Sequence, residues 1–469
     1  MKKKNEKIYD AITNISDEKI ESAADHKYEK SPGIVKRILL TVAAAALCIG
    51  TICTPIAMMR NHGEENPHSA SSGKPSALRV CAAEYPTSGE LDNTNAGIMV
   101  ESLKSFFAVS TSEFLKNDGE TNRIISPLNI YTALGMLAES AGGNSRRQLT
   151  DLLGESDTAV LREQISILNK SIYADEDKVK CRPAASLWMA NNRDYNKDTL
   201  DILAKNYIAS SFVGDVGSEE YNNMLRDWVN EQTNGILSEY TDEIEMDRDT
   251  AMVLLTTLYC DFDWYKQIES YRTSEGTFHT NGGDVSCDFM ADSDALYYEG
   301  ESFCAATKEF ADQRYSMSFI LPNEGITPAE LLSDRETVDF IFSEKLRPSD
   351  PQAEYEACHD ILIPKFDIAT KLDLIPALKE LGINDVFDGD AADLSPLYES
   401  SSGKSVTKVD QAVRVKIDEA GCEAAAYVEI EMKDGSSAFD AIIFDRPFIF
   451  TVDKDGVPLF TGIVNNPAA

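Results

Sequence analysis

Five histidines stand in the chain, and only His279 and His359 fall in its globular part. A Ser-His or Cys-His nucleophile would have to be built on one of them. The chain has no Gly-x-Ser-x-Gly turn, no His-Glu-x-x-His pair and no glycine-rich phosphate loop. Nine cysteines are spread without metal-ligand spacing: Cys48 and Cys53 lie in an apolar run, and Cys81, Cys181, Cys260, Cys287, Cys304, Cys358 and Cys422 stand far apart. These residue types predict neither an enzyme nor a metal or cofactor site, and they predict thiols packed as small hydrophobes rather than a disulfide framework. The most informative spacing lies between Glu419 and Ser437. There Cys422, Ala424, Ala426, Val428, Ile430 and Met432 alternate with Glu423, Ala425, Tyr427, Glu429, Glu431 and Lys433. A period of two is a strand signal, and Asp434, Gly435, Ser436 and Ser437 end it with turn chemistry. By itself the segment supports an amphipathic strand of an antiparallel sheet running into a turn.

Its flanks add a resemblance. Val415 to Ala426, reading Val-Lys-Ile-Asp-Glu-Ala-Gly-Cys-Glu-Ala-Ala-Ala, resembles the hinge of the serpins, the serine protease inhibitors. Phe444-Asp-Arg-Pro-Phe-Ile-Phe450 and Pro458-Leu-Phe-Thr-Gly-Ile-Val-Asn-Asn-Pro467 resemble that family's C-terminal signature and last paired strands. Further matches follow the family's order: Asn122 to Leu137, Ala185 to Met189, Asn222 to Ile236, Val253 to Tyr259 with Trp264, Met317 to Pro322, Ile363 to Phe366 and Ala377 to Ile383. The resemblance implies an α+β fold with a large central mixed sheet, smaller sheets, eight or nine helices and an exposed reactive-centre loop. It also implies a monomeric suicide substrate. A peptidase cleaves the loop, and the freed strand enters the large sheet before the acyl-enzyme is hydrolysed.

On that resemblance, Glu419, Gly421, Cys422, Glu423, Ala424, Ala425 and Ala426 form the hinge. Trp264 and Lys365 mark where the sheet opens, with Glu419 and Lys365 as an ion pair. Ser126, Asn129, Thr256 and Gln411 lie beneath the opening strands. Thr256 and Gln411 stand where the family usually has Asn and His, and a Thr-Gln pair can still hydrogen-bond. Cys422 replaces the usual hydroxyl residue at the first inserting position. Counting forward from Glu419 puts the reactive bond at Gly435-Ser436, and counting back from Pro447 puts it at Ser436-Ser437. A small residue on the acyl side suits elastase-like or subtilisin-like serine endopeptidases and leaves papain-like cysteine peptidases open as a second class. A trypsin-like enzyme would need Lys433, too near the hinge for good trapping. The alternative reading is a non-inhibitory serpin-fold binding or chaperone protein.

The elements that carry these residues must be held by a large core, which 43% hydrophobic content supplies. A net charge of -35 from 44 basic and 79 acidic residues argues against nucleic acid and against anionic lipid surfaces. Residues 1–37 are polar and read as a cytoplasmic segment. Residues 38–59 carry no charged residue and are long enough to cross a bilayer as a helix at about 1.5 Å per residue; the competing reading is a cleavable signal peptide, against which stand the long leading region and the lack of a small-x-small cleavage site. Lys2, Lys3, Lys4, Lys36 and Arg37 precede that run and Arg60 and Lys74 follow it, which puts the N-terminus inside. Residues 60–96, rich in Ser, Gly, Pro and Asn, read as a flexible tether, and 97–469 as the serpin domain. The expectation is a bacterial, prokaryotic-type member, single-pass in the cell membrane, with its inhibitor domain extracellular.

Overall fold

The computed structural model describes residues 77–86, 96–116, 120–334 (apart from 243, 249, 251 and 294), 337–338, 341–342, 360–398, 404–422 and 441–469. Residues 38–59, His359, Cys358 and the segment 423–440 lie outside them. No described helix is long and apolar enough to cross a membrane.

Three sheets carry the fold. The largest runs in the order β1 (Ala77–Cys81), β5 (Ala209–Gly214), β4 (Val179–Ala190), β6 (Met252–Asp263), β15 (Gly421–Cys422), β14 (Asp410–Ile417) and β13 (Phe366–Asp373), with β3 (Ala174–Glu176) paired to β4. A second sheet joins β2 (Arg123–Ile125), β18 (Val457–Val464), β17 (Phe448–Lys454), β11 (Tyr315–Pro322), β10 (Phe303–Glu309) and β9 (Leu296–Glu299). A third joins β16 (Ile442–Ile443), β12 (Ile361–Pro364), β8 (Gly283–Asp292) and β7 (Thr273–Thr280). Nine α-helices accompany them among the described residues, matching the expected mixed architecture.

The middle of the large sheet is covered on both faces, which is why β6 reads Met-Val-Leu-Leu-Thr-Thr-Leu without a polar alternation. Met252, Cys260 and Phe262 join the main core, with Leu254 and Leu258 packed against it. Val253 and Leu255 face the other way, toward Tyr221, Leu225, Trp228 and Val229 of a helix at Glu219–Gln232. Past its end at Gln232, Asn234 and Gly235 both turn left-handed, with φ of +52° and +77°, and the Gly235 amide donates back to the Asn230 carbonyl at 2.9 Å.

Below the sheet lies the helix Pro127–Ser140. Ser126 caps it by accepting from the Asn129 amide at 3.3 Å, and Pro127 occupies its first turn, where a missing N–H costs nothing. One boundary differs. The compact unit runs from Gly73 to Ala469, and Ala77–Cys81, inside the stretch expected to be a tether, pairs antiparallel with β5 from Ala77↔Gly214 to Cys81↔Ser211. The composition there signals a linker because an edge strand draws its stability from a neighbour's free edge, not from its own pattern.

Candidate functional site

The hinge turns back on itself in four residues. The Asp418 amide donates to the Gly421 carbonyl at 3.0 Å, while Asp418 Oδ1 accepts from the amides of Ala420 at 2.9 Å and Gly421 at 3.3 Å. This turn sends Gly421 and Cys422 between two strands. Cys422 pairs with Ile417 of β14 on one side and with Phe262 of β6 on the other. At Gly421 a Cβ would sit 1.9 Å from the Phe262 carbonyl oxygen, so the approach admits only glycine.

Trp264 and Lys365 hold this turn from outside. Trp264 donates its amide to the Ala420 carbonyl and its indole N–H to the Asp418 carbonyl, both at 2.9 Å. Its ring is buried and stacks on Phe310 at 4.6 Å, with the Lys308 ammonium 5.4 Å from the ring centre. Lys308 is itself buried and forms an ion pair with Asp292 at 2.7 Å. Lys365 Nζ meets Glu419 Oε1 at 3.2 Å, as the resemblance implies, and the Thr273 hydroxyl donates to the same oxygen at 2.7 Å. Burial pushes the Glu419 carboxyl up, but Thr273, its own amide and Lys365 outweigh it and hold the group below the ordinary glutamate value.

Below Cys422 the two strands part. β6 and β14 both run antiparallel to β15, hence parallel to each other, and among the described residues they are joined in the sheet only through Gly421 and Cys422. Between them lies a slot open to solvent. Its upper part, about 540 Å³, has Cys422 at its head, Tyr259 and Cys260 on one wall, Val413 and Val415 on the other, and Ser126 and Asn129 at its floor. Its lower part, about 750 Å³, continues along Leu254 to Thr257 and Asp410 to Ala412, beneath Val229, Leu237 and Tyr240.

Thr256 and Gln411, a pair able to hydrogen-bond, do not bond to each other. Gln411 Oε1 accepts from the Ser126 amide at 3.0 Å and Gln411 Nε2 donates to the Ser126 carbonyl at 3.2 Å, so its side-chain amide acts as a peptide group against the helix cap. Thr256 donates to the Asn129 carbonyl at 3.5 Å. The open slot separates their strands, and each residue bonds down to the helix entrance instead.

The structure thus brings together Glu419, Gly421, Cys422, Trp264 and Lys365 at the head of the slot and Ser126, Asn129, Thr256 and Gln411 at its floor. Glu423, Ala424, Ala425, Ala426, Gly435, Ser436 and Ser437 lie outside the described residues. Asp418, Thr273, Lys308, Asp292 and Phe310 escaped sequence reasoning, since nothing in their local pattern marks contacts across so many residues. His279 sits on an exposed hairpin, where Nδ1 faces Asp284 Oδ1 at 2.7 Å.

Residues 102–467 match the family model described as Serpin (serine protease inhibitor). Among curated relatives, Alaserpin of Manduca sexta is 27% identical over 388 residues, covering 79% of this chain and 94% of that protein. Serpin-Z1A of Triticum aestivum is 28% identical over 364 residues, covering 74% and 90%. Among solved structures, the native state of Tengpin, a thermophilic serpin, superposes with a TM-score of 0.70 at 24% identity, covering 84% of this chain and all of that one.

Proposed function

The chain belongs to the serpin family, and from that premise we propose that it is an irreversible suicide-substrate inhibitor of serine endopeptidases that accept a small residue. The observation that carries this reading is the slot between β6 and β14, already entered by Gly421 and Cys422. Continuing the observed register down β6 would set Ala424 beside Cys260, Ala426 beside Leu258, Val428 beside Thr256, Ile430 beside Leu254 and Met432 beside Met252. Every one of those β6 residues lies on the strand's core-facing side, with Cys260, Met252, Leu258 and Leu254 in or against the main core. Of the charged alternates, Glu423 would share its face with Asp261, and Glu429 and Glu431 would share theirs with Leu255 and Val253, beneath the helix Glu219–Gln232. From Cys422 to Met432 the loop spans as many residues as β6 does from Phe262 to Met252, so the uncharged face is as long as the slot that would receive it.

In the proposed reaction the peptidase's serine oxygen attacks the carbonyl carbon of Gly435 or Ser436. The following amide nitrogen takes up a proton and leaves as a new N-terminus at Ser436 or Ser437, and the loop stays esterified to the peptidase. Insertion then carries the ester away from the geometry needed for its hydrolysis. The uncleaved fold is on this account a kinetically held state whose lifetime is set by the barrier to opening the sheet.

The direct test incubates residues 73–469 with elastase-like, subtilisin-like and trypsin-like serine peptidases and a papain-like cysteine peptidase. Expected are a complex that survives denaturing electrophoresis, a released C-terminal peptide starting at Ser436 or Ser437, and a cleaved chain with a raised Tm. Turnover by every enzyme with no complex and no gain in heat resistance would favour the non-inhibitory scaffold instead.

We also propose that residues 38–59 anchor the chain with its N-terminus inside and the inhibitor outside, because that run is uncharged and its basic flank precedes it. The full-length chain is then expected in the membrane fraction, with external protease releasing the acidic domain. Recovery from cytosol overturns this placement.

A further inference from the structure

Cys181 and Cys260 are 79 residues apart in the chain, yet they are direct cross-strand partners on β4 and β6 with their sulfurs 3.2 Å apart. Opposed residues of an antiparallel pair hold their Cα atoms about 4.5–5.5 Å apart, within the range a disulfide spans. Their surroundings are unusual for a core. Lys454 is buried and holds its ammonium 4.9 Å from the centre of the Tyr315 ring while donating to the Ser171 carbonyl. The Tyr315 hydroxyl donates to the Ile172 carbonyl at 2.8 Å.

The two sulfurs differ in access. Cys181 is fully covered, whereas Cys260 is 8% exposed and lines the upper slot beside Cys422. We propose that Cys181 and Cys260 form a dithiol-disulfide couple, a modification site that takes small disulfides through the slot. A disulfide RSSR meets the Cys260 thiolate, which forms a bond to one sulfur and expels RS⁻. The Cys181 thiolate then attacks Cys260 Sγ, breaking the mixed disulfide and expelling the second RS⁻. Two protein thiols are oxidised, RSSR is reduced to two RSH, and the two thiol protons end on the released thiols. The product ties β4 to β6 one strand away from the slot.

One consequence rests on the proposed strand insertion, since Ala424 would then stand against Cys260 and close the approach. The experiment therefore has two arms. In the first, the intact full-length chain is incubated with glutathione disulfide, its remaining thiols are alkylated, and it is digested without reduction. Expected are the loss of two thiols and a peptide pair linked through Cys181 and Cys260. Cys181→Ser is expected to stop at one glutathione held on Cys260, and if that variant does not fold, the unmutated chain's map still decides. Alkylation of both cysteines, an unresolved adduct on Cys260 in the unmutated chain, or a Cys260–Cys422 link overturns the couple. In the second arm, the loop-cleaved chain is expected to react more slowly. An unchanged rate there, with the link formed in the intact chain, counts against insertion and leaves the thiol couple standing.

Discussion

Ala426→Arg is expected to turn the chain from an inhibitor into a substrate: the loop is still cleaved, but no complex survives denaturation. The register from Cys422↔Phe262 and Cys422↔Ile417 would bring residue 426 between Leu258 and Val413, over the helix that Ser126 caps. Val413 is buried and Leu258 packs against the main core. A guanidinium there has no partner, and an uncompensated buried charge costs roughly 3–5 kcal/mol. Each ~1.4 kcal/mol is a factor of ten in rate, so insertion would lose on the order of a hundredfold or more against hydrolysis of the ester. The measurement is the ratio of complex to cleaved chain at fixed peptidase. Glu423→Arg is the control, because its position faces outward between Asp261 and Lys416, and it should keep most of the trapping. If Ala426→Arg traps as well as the parent chain, the register is wrong and with it the argument for insertion along this slot.

Glu419→Lys should loosen the head of the slot and let one molecule's loop enter another's sheet. The change removes the Lys365 ion pair and the Thr273 hydrogen bond at once and sets two ammonium groups against each other. Glu419 and Lys365 are partly exposed, so the loss is less than for a fully buried pair, roughly 1.5–3 kcal/mol for a hydrogen-bonded charge. Gentle heating followed by size-exclusion chromatography should show monomer lost to oligomers, and Lys365→Glu added to the same variant should restore monomer. Unchanged monomer content would sink the idea. The unmutated chain should show the same weakness in acid. Because the folded state holds the Glu419 carboxyl below its ordinary value, this contribution is whole above the ordinary glutamate value and is lost as pH falls through the lowered folded value. Oligomer formation should therefore rise only in that acid window, and Glu419→Gln should flatten this part of the pH dependence.

The hinge and the slot were legible to different degrees. The Glu419–Lys365 pair follows from the family resemblance, and the Ser126 cap from local pattern, a serine set just before a proline that opens a helix. That Thr256 and Gln411 each bond to the helix entrance and not to each other was not legible, because the resemblance gives residue positions and not the separation of the strands that carry them. The strand Ala77–Cys81 was hidden for a related reason. Its residues are half exposed and carry no alternation of their own, and only the free edge of β5 makes a strand of them.

By itself the sequence determined what depends on neighbours along the chain: the strand periodicity around residue 422, the cap and stop of helices, the acidic surface and the absence of a His-based catalytic motif. These are short-range properties, set by backbone conformation and by the side chain's own chemistry. The tertiary structure alone decided which distant groups touch. It put Asp418 and Trp264 on opposite sides of one hydrogen bond, packed Lys308 over Trp264, and brought the sulfurs of Cys181 and Cys260 to 3.2 Å. It also left β6 and β14 apart below Cys422. Such contacts depend on sheet register and on the loop closures that precede it, and a one-residue slip would turn every side chain to the other face.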